Sequence, residues 1–137
     1  MDLDLKVEVT SDSKFPVSRK AIRERIREVL LRQKVSGKVL VSVTVVGDRK
    51  MLQLNRKYRS LNSTTDVLSF PTHDPTQPID DGGFMDPSEL GLVLGDIVVS
   101  YPQTVLIAMK KNQLLDDAVC DLVEHGMMHL LGIHHPE

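Results

Sequence analysis

Hydrophobic and polar positions alternate along the first part of the chain with two different periods. Apolar side chains occupy every second position from Leu3 to Val9, which predicts a half-buried strand at or near a sheet edge. Ser18 has the character of a helix N-cap, and the helix behind it is expected to end near Val35–Gly37. Apolar residues recur in this helix at helical spacing, with arginines outside the stripe. The stripe consists of Ile22, Ile26, Val29 and Leu30.

The next part of the chain predicts two strands separated by a second helix. Val39–Val46 is rich in β-branched residues and nearly continuous in its apolar character, which indicates an interior strand. Asp48 is the predicted cap of a helix over about residues 49–58. A short strand at Val67–Phe70 is expected to stop at Pro71, because proline cannot donate to a strand ladder.

Residues 72–90 differ in composition from the segments on either side. They hold three prolines, two glycines and five acidic residues, which predicts a long surface loop. A further apolar strand follows at Leu92–Ser100, and helices are expected over about 102–112 and 116–131. The order β-α-β-α-β-loop-β-α-α predicts an α+β (mixed α/β) fold. Its single four-stranded mixed sheet would pack with about four to five helices, in one domain spanning residues 1–137.

Composition narrows the class of protein. The single cysteine, Cys120, excludes an internal disulfide and fits a reducing compartment. The N-terminus has no signal-peptide pattern, and no apolar run reaches the roughly 20 residues that span a bilayer. These features predict a soluble, cytoplasmic protein with no membrane association. Aromatic residues are only 4% of the chain, so stacking on nucleobases is not expected to dominate binding.

Charge is distributed unevenly although the net charge is only −2. Residues 1–60 carry 15 of the 17 lysines and arginines against 7 acids, whereas residues 61–137 carry 2 basic residues against 12 acids. This asymmetry suggests a basic surface that could meet phosphates. The simpler interpretation, that the basic side chains only solvate helix faces, remains open at this point.

The end of the chain, EHGMMHLLGIHHPE, has the spacing of a transition-metal site. His125 and His129 are four residues apart, so they lie on one face of the last predicted helix. Gly132 is expected to end that helix in the left-handed conformation, and His135 follows six residues after His129. Three histidine nitrogens with one open position are typical of a catalytic zinc, so we expect one Zn²⁺ ion here. His134 is a competitor for the third position.

The same spacing occurs in metzincin proteases, but one residue differs in chemistry. Those proteases carry a glutamate directly after the first histidine as general base, and this chain has Gly126 there. Glu124, the neighbour on the other side, lies about 100° around the helix from His125 and cannot take that role. The missing base argues against peptide hydrolysis. The fifth histidine, His73, is expected on the surface of the long loop.

A second group of polar residues lies in the segment LNRKYRSLNSTTDVLSFP, Leu54–Pro71. Here Arg56, Lys57 and Arg59 precede a loop of serine, threonine and asparagine. The planar fork of an arginine suits phosphate oxygens, and an arginine near a metal could hold a phosphodiester and stabilise charge in its transition state. The alternative is that Arg59 forms an ion pair with Asp66 that pins the loop.

These two segments together resemble the YbeY family of bacterial endoribonucleases, the rRNA maturation factors. The family's signature H-G-x-L-H-L-x-G-x-D-H is similar to HGMMHLLGIHH, His125–His135. Its upstream block L-N-x-x-Y-R…T-D-V-L-S-F-P is similar to Leu54–Pro71, and its L-G-D-I-x-I-S resembles LGDIVVS at Leu94–Ser100. The three matches occur in the family's order and cover about a third of the chain.

The resemblance implies a zinc-dependent, single-strand-specific endoribonuclease that acts in ribosomal RNA maturation and ribosome quality control. It implies that His125, His129 and His135 bind the zinc and that Arg59 serves the RNA phosphate or catalysis. The implied partners are single-stranded or ribosomal RNA, with the ribosome or assembly proteins. Two positions depart from the family pattern, because His134 replaces an aspartate and Met128 replaces a leucine. Family members usually continue beyond the position of Glu137.

Two other functions remain open at this stage. A metzincin-like metalloprotease would use the same histidines, although it lacks the expected base. A non-catalytic ribosome-assembly factor would bind RNA or protein through its basic half and use zinc only for stability. The sequence also offers no candidate for a dedicated general base, and it does not indicate the RNA site, the oligomeric state or the role of loop 72–90.

Overall fold

The computed structural model describes residues 2–72 and 91–133 of the chain. The elements in these ranges alternate as the sequence predicts, with one strand before each of the first two helices and a helical pair at the end. The strands are β1 (Leu3–Ser11), β2 (Gly37–Val46), β3 (Val67–Pro71) and β4 (Leu92–Ser100), and the helices are α1 (Arg19–Arg32), α2 (Asp48–Arg59), α3 (Tyr101–Lys111) and α4 (Leu115–Leu130).

The four strands form one mixed sheet in the order β1-β2-β4-β3. β1, β2 and β4 run parallel, and β3 pairs antiparallel with β4, so that Phe70 lies opposite Asp96. The predicted α+β class, with a four-stranded mixed sheet, is confirmed, and four helices fall within the predicted number. β1 is an edge strand and β2 an interior strand, as their apolar patterns indicate.

The two faces of the sheet are covered by different helices. α1 and α4 pack on one face, where their apolar residues meet alternate residues of β1, β2 and β4. On the other face, Met51 of α2 is fully buried against Leu68 of β3 and Val98 of β4. The larger cluster includes Ile22, Ile26, Leu30, Val41, Val43, Ile97, Val99, Val123 and Met127.

The start of α1 agrees with the sequence, but its end comes earlier than expected. The Ser18 hydroxyl accepts a hydrogen bond from the Ala21 amide at 3.1 Å, which confirms the N-cap. The helix ends at Arg32 because Lys34 takes a left-handed conformation with φ of 60°. The amide of Val35 then donates to the carbonyl of Leu30 at 2.9 Å, which closes the helix end.

The predicted cap of α2 is wrong. The N-cap position is Gly47, which provides no side chain, and Asp48 is the first residue of the helix. The Asp48 carboxylate instead accepts hydrogen bonds from Ser100 Oγ at 3.0 Å and Gln103 Nε2 at 3.2 Å, with Thr64 Oγ1 at 3.3 Å. Asp48 therefore joins α2 to the end of β4 and to the loop before β3, contacts that neighbouring positions in the sequence do not reveal.

The structure does not test the predicted loop over residues 72–90, because all of it except Thr72 lies outside the described residues. The one thiol, Cys120, is free and buried, and this burial raises its pKa. Among the helices that the structure describes, none combines the length and apolar character needed to cross a membrane. The extent of one domain over residues 1–137 stays a prediction.

An ion-pair network holds α1 against α4. Arg25 Nη1 lies 2.9 Å from Asp121 Oδ1 and 3.5 Å from Glu124 Oε1, and Arg32 Nη2 lies 3.4 Å from Glu124 Oε2. The hydrogen bond from Arg25 lowers the pKa of Asp121 below its ordinary value. Because α4 carries the candidate metal ligands, this network helps to fix their distance from the rest of the core.

We expect Arg25→Met to lower the free energy of unfolding by at most about 1 kcal/mol at neutral pH, because the pairs are partly exposed. The lowered pKa of Asp121 means that its contribution is fully present above the ordinary aspartate pKa of about 3.9. The contribution is lost as the pH falls through the lower value of the folded state. The difference between variant and wild type should therefore shrink in acid. Urea unfolding across this pH range measures it, with Arg27→Met as the control, since Arg27 is exposed on the same helix and has no ion pair within the described ranges.

Candidate active site

A cleft of ≈ 430 Å³ opens at the edge of the sheet beside β3. α4 contributes one wall, β3 and the loop before it form the floor, and the last residue of α2 reaches in from the other side of the sheet. We call this the histidine cleft. Its lining residues are Arg59, Thr65, Asp66, Val67, Leu68, Ser69, His125, Gly126 and His129. Two segments that the sequence analysis singled out separately therefore meet in one place.

The two histidines of α4 lie side by side at the cleft. His125 is exposed and His129 half-buried, and their Nε2 atoms are 3.2 Å apart. The predicted placement of both rings on one helix face is confirmed. Two nitrogens bound to one tetrahedral zinc at about 2.0–2.1 Å would lie roughly 3.4 Å apart. The observed separation therefore suits two ligands of one ion, and equally a hydrogen bond between a protonated and an unprotonated ring nitrogen.

The end of α4 positions the chain that leads to the third predicted ligand. Gly132 has a φ of 77°, and its amide donates to the carbonyl of His129 at 3.0 Å, while the amide of Ile133 donates to Met128 at 2.8 Å. This is a Schellman motif, which confirms the predicted left-handed glycine. Ile133 packs against the core as the accompanying apolar contact. The described part of the chain stops there.

His135 lies outside the described residues, and so do His134, His73 and Glu137. Within residues 2–72 and 91–133, no three histidine, cysteine, aspartate or glutamate side chains come together in a way that could hold a metal ion. The roles of His125, His129 and His135 as metal ligands therefore stay predictions. The chemistry of the described pair fits them, because neutral imidazole nitrogens are zinc ligands.

Gly126 lies where α4 comes closest to the sheet. A Cβ atom at this position would be 2.9 Å from Ile97 Cγ2 and 3.1 Å from Ile97 Cγ1. At such distances a side chain at this position requires Ile97 or the helix to shift. The glutamate that a metzincin carries here cannot be accommodated without that shift.

Arg59, the last residue of α2, is exposed at the mouth of the cleft. The alternative in which Arg59 pairs with Asp66 is not observed, since no ion pair joins these two described residues. The Asp66 carboxylate instead accepts from the Val67 amide at 2.7 Å, and its main-chain carbonyl accepts from the Ser100 amide at 2.8 Å. The Arg59 guanidinium therefore lines the cleft without being neutralised by its nearest predicted partner.

Asn55 was not predicted from the sequence, and it fixes the loop that follows Arg59. Asn55 is only 1% exposed, and its Nδ2 atom donates to the Ser63 carbonyl at 2.7 Å. Its own carbonyl accepts from the Leu61 amide at 3.3 Å, next to Ser60 in the left-handed conformation. The sequence could have predicted this role, because Asn55 follows Met51 by four residues and so lies on the same buried side of α2. A buried asparagine needs hydrogen-bond partners, which indicates a structural polar contact.

Comparisons with known proteins agree with this arrangement. A family model described as Endoribonuclease YbeY matches residues 7–137. A protein named Endoribonuclease YbeY from Roseiflexus sp. (strain RS-1) is 34% identical over 83% of this chain and 68% of its own length. Relatives of the same name from Moorella thermoacetica and Dehalococcoides mccartyi (strain BAV1) are 39% and 30% identical, over 74% and 98% of this chain and 63% and 86% of their own lengths.

A solved structure shares the fold. The solution structure of TM1509 from Thermotoga maritima superposes with a TM-score of 0.59 at 22% identity, over 96% of this chain and 75% of that one. At 22% identity, this likeness supports only the fold. The sequence matches show the class of protein, which is that of the hydrolytic nucleases. Within this class, the chain belongs to the YbeY endoribonuclease family, and the resemblance of its motifs is confirmed.

The contact at Gly126 leads to a prediction about stability. We expect Gly126→Ala to lower the free energy of unfolding by about 1 kcal/mol, because the overpacking cost of about 1–3 kcal/mol exceeds the roughly 1 kcal/mol gained in helix propensity. In an Ile97→Ala background the added methyl finds space, so the same substitution should stabilise the protein. Urea unfolding of the four variants of this double-mutant cycle measures the coupling. Equal effects of Gly126→Ala in both backgrounds would show that Ile97 does not limit this position.

Proposed function

We propose that this protein is a zinc-dependent, single-strand-specific endoribonuclease that acts in ribosomal RNA maturation and ribosome quality control in the cytoplasm. The observation that carries the proposal is the meeting of Arg59 with the pair His125 and His129 in one cleft. The relatives named Endoribonuclease YbeY support the reaction, which is the hydrolysis of an RNA phosphodiester. In this proposal the substrate is single-stranded or ribosomal RNA, and the partners are ribosomes or ribosome-assembly proteins.

In this proposal, His125, His129 and His135 bind one Zn²⁺ ion. The 3.2 Å separation of the two described Nε2 atoms supports the first two ligands. His135 is the second residue after Ile133, the point at which the described chain turns away from α4. Zinc at this position would supply a Lewis acid that polarises a phosphoryl oxygen.

Arg59 binds the phosphate in this scheme. Its planar fork can donate two parallel hydrogen bonds to phosphate oxygens, and these bonds strengthen as negative charge develops on them. The loop contacts of Asn55 support this role, because they hold the chain directly after Arg59 in one conformation. The hydroxyl of Ser69, which also lines the cleft, can donate to the same strand. The Thr65 hydroxyl donates instead to Asp66 Oδ1 at 3.4 Å.

The charges around the cleft favour RNA over peptide. Arg56, Lys57 and Arg59 are all exposed in the last turn of α2, and Arg56 is oriented by donating to Asn62 Oδ1 at 3.0 Å. Such a cluster attracts the phosphates of a single strand. A peptide substrate would instead need a general base, and Gly126, packed against Ile97, offers no carboxylate at the position that proteases use.

The central test separates metal binding from phosphate binding. We expect His129→Ala to lose both bound zinc and cleavage of single-stranded RNA, because it removes a ligand. Arg59→Ala should keep its zinc and lose about 10²–10³ in kcat, the usual effect of removing one group that stabilises transition-state charge. Arg59→Lys should recover only part of the activity. Metal analysis and cleavage rates measure these effects, and Arg49→Ala, exposed at the other end of α2, is the control.

Three outcomes would contradict the proposal. Unchanged cleavage in both the His129 and the Arg59 variants would remove the catalytic role of this cleft. A wild-type protein that unfolds on chelation but never cleaves RNA would be a zinc-stabilised assembly factor. Zinc-dependent cleavage of a peptide library without any cleavage of RNA would favour the metalloprotease.

The basic end of α2 also predicts how RNA binding depends on salt. The logarithm of the affinity for single-stranded RNA should fall linearly with the logarithm of salt concentration, with a slope of about −0.7 for each phosphate contacted. Lys57→Ala should reduce this slope by about 0.7, whereas Arg23→Ala on α1, at the opposite face of the sheet, should leave it unchanged. Titrations monitored by fluorescence anisotropy measure the slope. Salt-insensitive binding would exclude the basic end of α2 as the contact surface.

A further inference from the structure

A second cavity, of ≈ 440 Å³, lies between α2 and the sheet on the face that α1 and α4 do not cover. Its size falls within the about 300–1,000 Å³ of small-molecule sites. We call it the tyrosine cavity. Its walls are mostly apolar, with a few polar groups at the rim, and its lining residues are Thr44, Val46, Lys50, Leu54, Tyr58, Phe70, Asp96 and Val98.

The tyrosine cavity adjoins the histidine cleft around the edge of the sheet. β3 is an edge strand, and its alternating side chains lie on both faces of the sheet. Val67 packs toward the core beneath α4, while Leu68 and Phe70 pack toward α2. α2 also ends between them, because Tyr58 lines the cavity and Arg59 lines the cleft. These consecutive residues diverge by about 100° around the helix. A strand bound at Arg59 therefore passes directly beside Tyr58.

Tyr58 is presented in the way that a stacking platform requires. Tyr58 is 56% exposed, so much of its surface is accessible to a ligand although Phe70 packs against its ring. The ring of Phe70 supports it edge-on, with a centroid separation of 5.1 Å and an angle of 63°. Lys57 Nζ lies over the Tyr58 ring, 5.2 Å from its centroid, so a stacked base would either displace this ammonium group or use the other ring face.

The distribution of charge distinguishes a base from a phosphate in this cavity. Asp96, opposite Phe70 on β4, is exposed and lines the cavity, and its carboxylate repels phosphate oxygens. A carboxylate can accept a hydrogen bond from the exocyclic amino group of a base. Lys50 and Lys57 at the surface can meet the phosphates on either side of that base. The apolar walls and Asp96 thus suit the base, and the lysines suit the backbone.

We propose that the tyrosine cavity binds one unpaired base of the RNA strand whose phosphate lies on Arg59, with the base stacked on Tyr58. This inference rests on the proposed function and adds a subsite to it. A base in this position fixes the register of the strand relative to the histidines. It also explains a requirement for single-stranded RNA, because a paired and stacked base cannot enter the cavity. With few aromatic residues in the chain, this is one stacking contact beside a mainly electrostatic attachment.

The test compares Tyr58→Leu, Tyr58→Phe and Tyr101→Leu with the wild type. Tyr101 is the matched control, because it also packs on a phenylalanine, Phe15, with a centroid separation of 5.1 Å, but it does not line the cavity. The probe is a ribose-methylated, single-stranded RNA that contains aminopurine, whose fluorescence is quenched on stacking. Tyr58→Leu should raise the Kd about 5- to 100-fold and abolish the quenching, since base–aromatic stacking has this magnitude. Tyr58→Phe and Tyr101→Leu should behave as wild type.

Cleavage assays separate this subsite from the proposed function. With unmodified RNA, Tyr58→Leu should raise KM and leave kcat nearly unchanged, because the residue binds the strand away from the reacting phosphate. If the wild type cleaves RNA and Tyr58→Leu has the same KM, Kd and quenching, the subsite is wrong and the function stands. If quenching depends on Tyr58 but the wild type cleaves no RNA, the subsite stands and the function fails. A Tyr58 variant that loses binding to an assembly protein while binding RNA normally would assign the cavity to a protein partner.

Discussion

The arrangement of the candidate site depends on the close contact between α4 and the sheet at Gly126 and Ile97. With no side chain at Gly126, the helix backbone packs directly against the Ile97 side chain of β4, and this close contact limits how far α4 can shift or turn relative to the sheet. His125 precedes the contact, and His129 follows one turn later on the cleft side. The ion pairs of Arg25 with Asp121 and Glu124 then hold the opposite side of the same helix against α1.

A second set of contacts, on the other face of the sheet, fixes the position of Arg59. Asp48, at the start of α2, accepts hydrogen bonds from Ser100 and Gln103, and Asn55 in its middle holds the carbonyl of Ser63. These contacts tie α2 to the end of β4 and to the loop before β3. Because β3 is a short strand at one edge of the sheet, Arg59 at the end of α2 can extend past it into the histidine cleft. Polar residues inside the fold thus position Arg59, although none of them lines the cleft.

The edge strand β3 separates two cavities with different chemistry. The histidine cleft combines imidazole nitrogens with an arginine, which suits a phosphate and a metal ion. The tyrosine cavity combines apolar walls with an aromatic ring and the carboxylate of Asp96, which suits an uncharged base. Because side chains alternate between the two faces along a strand, the five residues of β3 can contribute to both the histidine cleft and the tyrosine cavity. A nucleic-acid strand has the same alternation of charged backbone and flat bases, so one extended strand matches the pair of cavities.

The sequence by itself determined the elements and the features that depend on neighbouring residues. Within residues 2–72 and 91–133, the apolar periods predicted each strand and helix to within a few residues. Ser18 and Gly132 marked the ends of helices, and the spacing of His125 and His129 placed both rings on one helix face. Each of these depends on backbone geometry within one or two turns. Even the early end of α1 at Arg32 is a local effect of Lys34, although a lysine gives little signal for a left-handed conformation.

Only the tertiary structure decided what these elements bring together. The order β1-β2-β4-β3 places β3 beside α4, and this brings Arg59 to the histidines. Among the described residues, no ion pair joins Arg59 to Asp66, the alternative partner that the sequence left open. The structure also reassigned Asp48 from a helix cap to a junction between three segments. Such contacts join residues far apart in the chain, and their formation depends on the packing of both faces of the sheet. Local periodicity specifies which face of an element is buried, but the partner that covers it is chosen by the fold as a whole.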